Sequence, residues 1–236
     1  MVPGPTPADL ISVWERGSGQ DPVRRALTLL VAFHDGPVGA SAASFDIGTR
    51  DVLLARRLQA LVGNQVPACV DCPRCGELLD ISVDLRAVAE LPVVEEKSWM
   101  SISVEDEPVR FRLPTSEDLL TVVGLDRPQA RAVLMRECLG LGPDELPAPD
   151  VAAAVDTAME VVAPAGAVDL LVICPQCGMQ GAVPLDVPSL LWSEVETEAA
   201  GLLRDVHDLA VRFGWTEPDV LALSPRRRAA YLAMDG

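Results

Sequence analysis

Hydrophobic positions along this chain follow two different periods, and the change from one to the other divides it into three. In the first third they recur every three or four residues. Leu27, Leu30 and Val31 share one face of a segment opened by Asp21 and Pro22 and running to about His34. Leu53, Leu54, Leu58 and Leu61 mark another helix, for which Thr49 is the expected N-cap. A shorter helix precedes both, with Thr6 as N-cap, Pro7 at N1 and Gly17 as its stop. The middle of the chain switches to alternation. Leu79, Ile81, Val83 and Leu85 predict a half-buried strand, and Ile102 and Val104 lead into a turn at Glu105–Pro108 from which Val109, Phe111 and Leu113 lead out. Three helices are expected next, over Ser116 to about Val123, Arg127 to Leu139 with Asp126 and Gln129 as a capping-box pair, and Asp150 to about Val162. The Pro-rich loop Gly142–Pro149 between the last two is a hinge candidate. Val168, Leu170 and Val172 and then Val183, Leu185 and Val187 read as two more strands.

The last stretch is helical. Leu191, Val195, Ala199, Leu202, Val206, Leu209 and Phe213 keep a three-or-four spacing from Ser189 to Phe213, and Gly214 ends the run. Thr216 caps a short helix, and Ser224 with Pro225 caps another that carries Arg226, Arg227 and Arg228, read as a solvated face. The pattern as a whole predicts an α+β fold: a helical N-terminal region (1–64), a central domain (65–188) holding a long inserted hairpin-plus-helices segment, and a helical C-terminal arm (189–236).

Two copies of one motif lie where the central strands begin and end, Cys72-Pro73-Arg74-Cys75-Gly76 and Cys174-Pro175-Gln176-Cys177-Gly178. Pro and Gly shape a tight knuckle on which two thiolates converge, and two knuckles together supply four sulfurs at tetrahedral corners. Cys72, Cys75, Cys174 and Cys177 are therefore the expected ligands of a structural zinc, and the central domain is expected to be a zinc ribbon. Such a site has a closed coordination shell, which points to architecture rather than catalysis. A thiol-disulfide oxidoreductase uses a similar CPxC segment at the start of an amphipathic helix, a context neither copy has. Of the other two cysteines in the chain's six, Cys69 lies close enough to Cys72 to replace a ligand but lacks a Pro or Gly of its own. Cys138 ends an apolar-periodic run and reads as a small buried hydrophobe. His34 and His207 are isolated within predicted helices.

With 236 residues the chain is long enough to bury a sizeable core without help from a metal. Its 19 Lys and Arg against 35 Asp and Glu leave a net charge of −16, a field that repels nucleic acid and anionic membrane. No apolar run approaches the ~18 residues of a membrane span and no signal peptide is visible, so a cytoplasmic protein is expected. There is no P-loop, no GxSxG elbow and no HExxH, hence no expectation of an enzyme or of a small-molecule substrate.

Several segments in order carry a resemblance. They are the N-terminal Ala8-Asp9-Leu10-Ile11-Ser12-Val13-Trp14-Glu15-Arg16-Gly17, the first knuckle, Val109-Arg110-Phe111-Arg112-Leu113-Pro114-Thr115-Ser116-Glu117-Asp118, the second knuckle, and the tail from Asp205-Val206-His207-Asp208-Leu209 through Phe213-Gly214-Trp215 to Tyr231-Leu232. Together they resemble the baseplate hub assembly proteins of T-even-type contractile phages and the zinc-ribbon proteins of phage-tail-like contractile injection systems. The resemblance implies a non-enzymatic assembly chaperone or minor component whose partners are baseplate or hub proteins, with the four knuckle cysteines as metal ligands. Beyond the resemblance, the large apolar groups Phe213, Trp215 and Tyr231 near the C-terminus are candidate partner-binding anchors. A zinc-ribbon adaptor acting on nucleic acid is the alternative, disfavoured by charge.

Overall fold

In a computed structural model, which describes residues 5–33, 39–94, 99–143 and 145–234, the chain folds as helices around three small antiparallel hairpins. This is the α+β class expected; His34 lies outside the described residues. Helix α1 (Pro7–Gly17) opens on a capping box in which Thr6 Oγ1 accepts from the Asp9 amide and Asp9 Oδ2 accepts from that of Thr6. Its last residue, Gly17, faces Trp192, where a Cβ would fall 2.3 Å from the indole ring. The glycine there serves packing as well as termination. Helix α2 (Pro22–Phe33) starts at Asp21, whose Oδ1 accepts from the amides of Val23 and Arg24. After a 3-10 turn over Gly39–Ser44, helix α3 (Ile47–Val62) begins two residues before the expected start. Its N-cap is Asp46, which accepts from the Thr49 amide at 2.9 Å, while the Thr49 hydroxyl accepts from the Val94 amide. Thr49 therefore lies inside the helix. The carboxylate took the cap because Ile47 meets the segment that follows the second hairpin, its amide donating to the Pro114 carbonyl, while Gly48 packs against Ala163 and Gly166.

Strands β1 (Gln65–Asp71) and β2 (Leu78–Asp84) form the first hairpin, whose turn is the first knuckle. A four-residue helix, α4 (Arg86–Ala89), follows. The inserted segment holds β3 (Met100–Val104), β4 (Glu107–Phe111), α5 (Ser116–Thr121), α6 (Arg127–Leu139) and α7 (Pro149–Val162). Its hairpin packs on α6 and α7 around Phe111, Met135, Ala152 and Val155. One polar network ties the segment to α3, and a second braces it from within. Arg50 on α3 donates to its neighbour Asp51 at 2.7 Å and to the Ser116 hydroxyl, while Arg112 grips Asp118 with two bonds of 2.6 and 2.8 Å. Asp118 also closes a capping box with Thr115. A 3-10 turn (Pro164–Ala167) leads to β5 (Asp169–Ile173) and β6 (Gln180–Pro184), the third hairpin, whose turn is the second knuckle. The alternation expected to run as strand through Val187 stops at Pro184. Val187 instead starts helix α8 (Val187–Phe213), capped by Asp186.

The 27 residues of α8 run past α1, α2 and α3. Leu191, Trp192 and Val195 join Val13, Leu29, Leu30, Leu54 and Leu58 in the largest core cluster, which also takes in Val66, Val83 and Leu85 from the first hairpin and its exit. Residues of all three sequence segments thus share one core. Farther along α8, Ala199 and Leu202 meet Ile11 and Leu221. Gly214, with φ 69°, ends the helix in the left-handed conformation that glycine takes without strain. Two capped helices, α9 (Glu217–Leu221) and α10 (Pro225–Leu232), turn back on its far half. The arginine trio on α10 divides: Arg226 and Arg227 are exposed, whereas Arg228 is buried and bonded to Asp205 at 2.7 Å.

Candidate metal centre

Each knuckle is built the same way. The amide of the first cysteine donates across the turn, Cys72 to the Glu77 carbonyl at 2.8 Å and Cys174 to the Met179 carbonyl at 2.9 Å. The glycine amide then returns to that cysteine's carbonyl, at 2.9 Å in both copies. Gly76 and Gly178 have φ of 72° and 67°, a region closed to most side chains, so glycine is what lets the chain reverse with both thiols on one side. Each hairpin is closed at its far end by a matching bond, Leu85 N–H to the Asn64 carbonyl and Leu185 N–H to that of Val168.

The inner faces of the two hairpins pack on each other through Val70, Leu79, Val172 and Val183, with Cys72 and Cys174 buried among them. This face-to-face arrangement brings the knuckles together, so that sulfurs of opposite knuckles touch. Cys72 Sγ lies 3.7 Å from Cys177 Sγ, and Cys75 Sγ lies 3.7 Å from Cys174 Sγ. All four sulfurs fall within 4.8 Å of one another. A zinc ion bound to four thiolates at about 2.3 Å sets neighbouring sulfurs about 3.8 Å apart, so the donor set matches that ion in type, number and spacing.

The local electrostatics prepare part of the charge such an ion needs. Burial works against ionisation of the Cys72 thiol, but the amides of Cys75 and Arg74 and the thiols of Cys75 and Cys174 point at its sulfur and bring its pKa down to about 7. At Cys75 the Glu77 amide favours the thiolate, yet burial and the sulfurs of Cys177, Cys72 and Cys174 prevail and push it up to about 12. Neighbouring thiols stabilise one thiolate as donors and then resist a second. A divalent cation removes that resistance, which is why thiolate sites bind metal with release of protons.

Cys69 stays outside the cluster. It stands on the outer face of β1, exposed, with its thiol directed at Asp80 Oδ1 3.2 Å away. Strand alternation turns it from the inner face on which Val70 and Cys72 lie. Cys138 is buried in α6, and burial pushes its thiol up to about 12, so it is the inert hydrophobe the sequence indicated. His207 is exposed on α8. The candidate anchors gather at the end of α8: Phe213 stacks on Trp215 with ring centroids 5.1 Å apart, and Tyr231 from α10 meets Trp215 edge-on at 4.7 Å. Phe213 remains exposed, and Trp215 and Tyr231 are half-buried. What sequence reading missed is β1 itself. Its polar outer face, Pro67 and the exposed Cys69 conceal the alternation of Val66, Ala68 and Val70. No helix among the described residues is long and apolar enough to cross a membrane. Comparison of the chain with protein-family models, curated proteins and solved structures found no match.

Proposed function

We propose that this chain is a non-enzymatic, cytoplasmic assembly factor or minor structural component of the baseplate or hub of a contractile phage tail or contractile injection system, and that Cys72, Cys75, Cys174 and Cys177 hold a structural zinc. The observation that carries the metal is the set of four sulfurs, from two distant segments, at the spacing of a tetrahedral thiolate site. Bound there, the ion supplies a cross-link: it joins the first hairpin to the third across the whole inserted segment. Its coordination shell would be complete, with no position for water or substrate, so its role is to fix shape.

Support for the contractile-tail role comes from the ordered resemblance of the N-terminal, central and C-terminal segments. The knuckles within that resemblance are the residues that converge. The Phe213, Trp215 and Tyr231 cluster, partly open to solvent, supplies rigid aromatic surface of the kind that anchors protein interfaces. A charge of −16 favours a protein partner over a phosphate backbone.

The test is co-expression with baseplate and hub proteins of a contractile tail, followed by co-purification and metal analysis. The proposal expects a stable complex or a requirement for this chain in forming intact tails, with close to one zinc per chain. Tails that assemble normally without the chain, and no association with any baseplate protein, overturn it. Micromolar DNA binding with a steep salt dependence replaces it with the nucleic-acid adaptor.

A further inference from the structure

The two knuckle hairpins are built alike but differ at their edges. The closing bonds at both ends of the third hairpin, Cys174 N–H to Met179 and Leu185 N–H to Val168, set the register so that Val168, Leu170, Val172 and Cys174 face β6. The backbone amides and carbonyls of Asp169, Leu171 and Ile173 therefore point away from β6, along the free edge of β5. Among the described residues β6 is the only strand beside β5. The side chains at these positions lie on the outer face, where Leu171 is 89 % and Ile173 69 % exposed.

Proteins ordinarily blunt such an edge with proline, charge or polar side chains, and the other three ribbon strands do so. In β1 the same register turns Gln65, Pro67, Cys69 and Asp71 outward. Pro67 stands five residues before its knuckle, the place Asp169 holds in β5, and has no amide proton to offer. β2 presents Leu78, 60 % exposed beside the knuckle, but then Asp80, Ser82 and Asp84, and β6 presents Gln180 and Ala182 and ends in Pro184. The hairpin fold thus tolerates a blunted polar edge, and β5 alone carries two successive large apolar residues along an edge with its donors intact.

We infer that the free edge of β5 takes up an extended segment of a partner protein, apolar in alternate positions and bearing Lys or Arg, as an added strand. The unpaired amides and carbonyls of Asp169, Leu171 and Ile173 would supply the ladder, and Leu171 and Ile173 the side-chain contacts. Charge decides the partner's character. A second copy of this chain brings another −16, and an edge of three residues falls far short of the surface a stable dimer buries. A basic segment meets Asp169 at the edge and the acidic field beyond it. The inference rests on the hairpin and holds whatever assembly the partner belongs to.

The experiment selects linear peptides from a random displayed library on the full chain loaded with zinc, then maps a selected peptide by amide hydrogen exchange. The expected result is enrichment of alternating apolar and Lys- or Arg-bearing peptides that protect the amides of Asp169, Leu171 and Ile173. Leu171→Pro, which copies the device at Pro67 without touching the β5–β6 ladder, abolishes binding while zinc content and melting temperature hold. Should that variant fail to fold, Leu171→Lys is expected to lose the same peptides with its fold intact. Selected peptides that leave the three amides unprotected, a library that yields no binder, or a concentration-dependent dimer broken by Leu171→Lys would each overturn the inference.

Discussion

Cys72 Sγ lies 3.7 Å from Cys177 Sγ, on the opposite knuckle. The reciprocal pair, Cys75 and Cys174, has the same separation. Neither hairpin can complete the site alone, so the four thiols report on tertiary structure as much as on the motif.

Purified protein is expected to carry close to one zinc, with Cys72→Ser and Cys174→Ser each lowering that content and the melting temperature. The two variants occupy matching places in matching knuckles and should behave alike, since loss of the ion removes a binding free energy on the order of 10 kcal/mol in isolated fingers. Cys69→Ser should leave both quantities unchanged, because its thiol faces Asp80. Metal analysis and thermal melts of the three variants check this.

Gly17→Ala is expected to destabilise the protein by about 1–3 kcal/mol, the usual cost of overpacking a close contact. A Cβ there falls 2.3 and 2.5 Å from two ring atoms of Trp192, which lies in the main core and has little room to shift. Denaturant unfolding followed by tryptophan fluorescence measures the loss.

Acid should weaken the inserted segment from within, at the turn between β4 and α5. Burial alone would raise the pKa of Asp118, but hydrogen bonds from Arg112 and Thr115 prevail and hold it below the usual carboxylate value. A group depressed in the folded state contributes stability that is present above its unfolded pKa of about 3.9 and lost as pH falls through the folded value. Asp118→Asn should cost about 3 kcal/mol at neutral pH, as when a buried pair loses one partner, and should flatten the acid limb of the stability curve. Asp51 should act in the opposite sense. Burial outweighs the attraction of Arg50 and raises its pKa, so its contribution is full below about pH 3.9 and declines as pH rises.

Trp215→Ala and Tyr231→Ala are expected to couple by about 0.5–1.5 kcal/mol in a double-mutant cycle of stability, given their edge-on contact at 4.7 Å. Under the proposed function, the double variant keeps its zinc and its fold but binds baseplate proteins more weakly. Unfolding of the double variant would assign these rings to the protein's own packing.

Much of this architecture was legible in local signals. Thr6-Pro7, Asp21-Pro22, Thr216 and Ser224-Pro225 announced helix starts because a cap is a short-range bond between neighbours, and Leu191 to Leu209 announced the long helix because one face must be apolar throughout. The knuckles were legible because Cys-Pro-x-Cys-Gly encodes its own turn, down to the positive φ of Gly76 and Gly178. Other features depended on distant partners. Asp46 displaced Thr49 as cap where the chain after the second hairpin met the start of α3, whereas the helix start at Val187 was a local signal, Asp186 with Pro188, hidden under an alternation of apolar residues. Arg228 differs from Arg226 and Arg227 only in facing Asp205 across two helices. Sequence alone determined which residues could turn, cap and alternate, since those choices are made within a few residues of chain. Tertiary structure alone decided which sulfur meets which, which face of each hairpin is the inner one and that the edge of β5 stays open, because each depends on how two hairpins pack face to face across a long insertion.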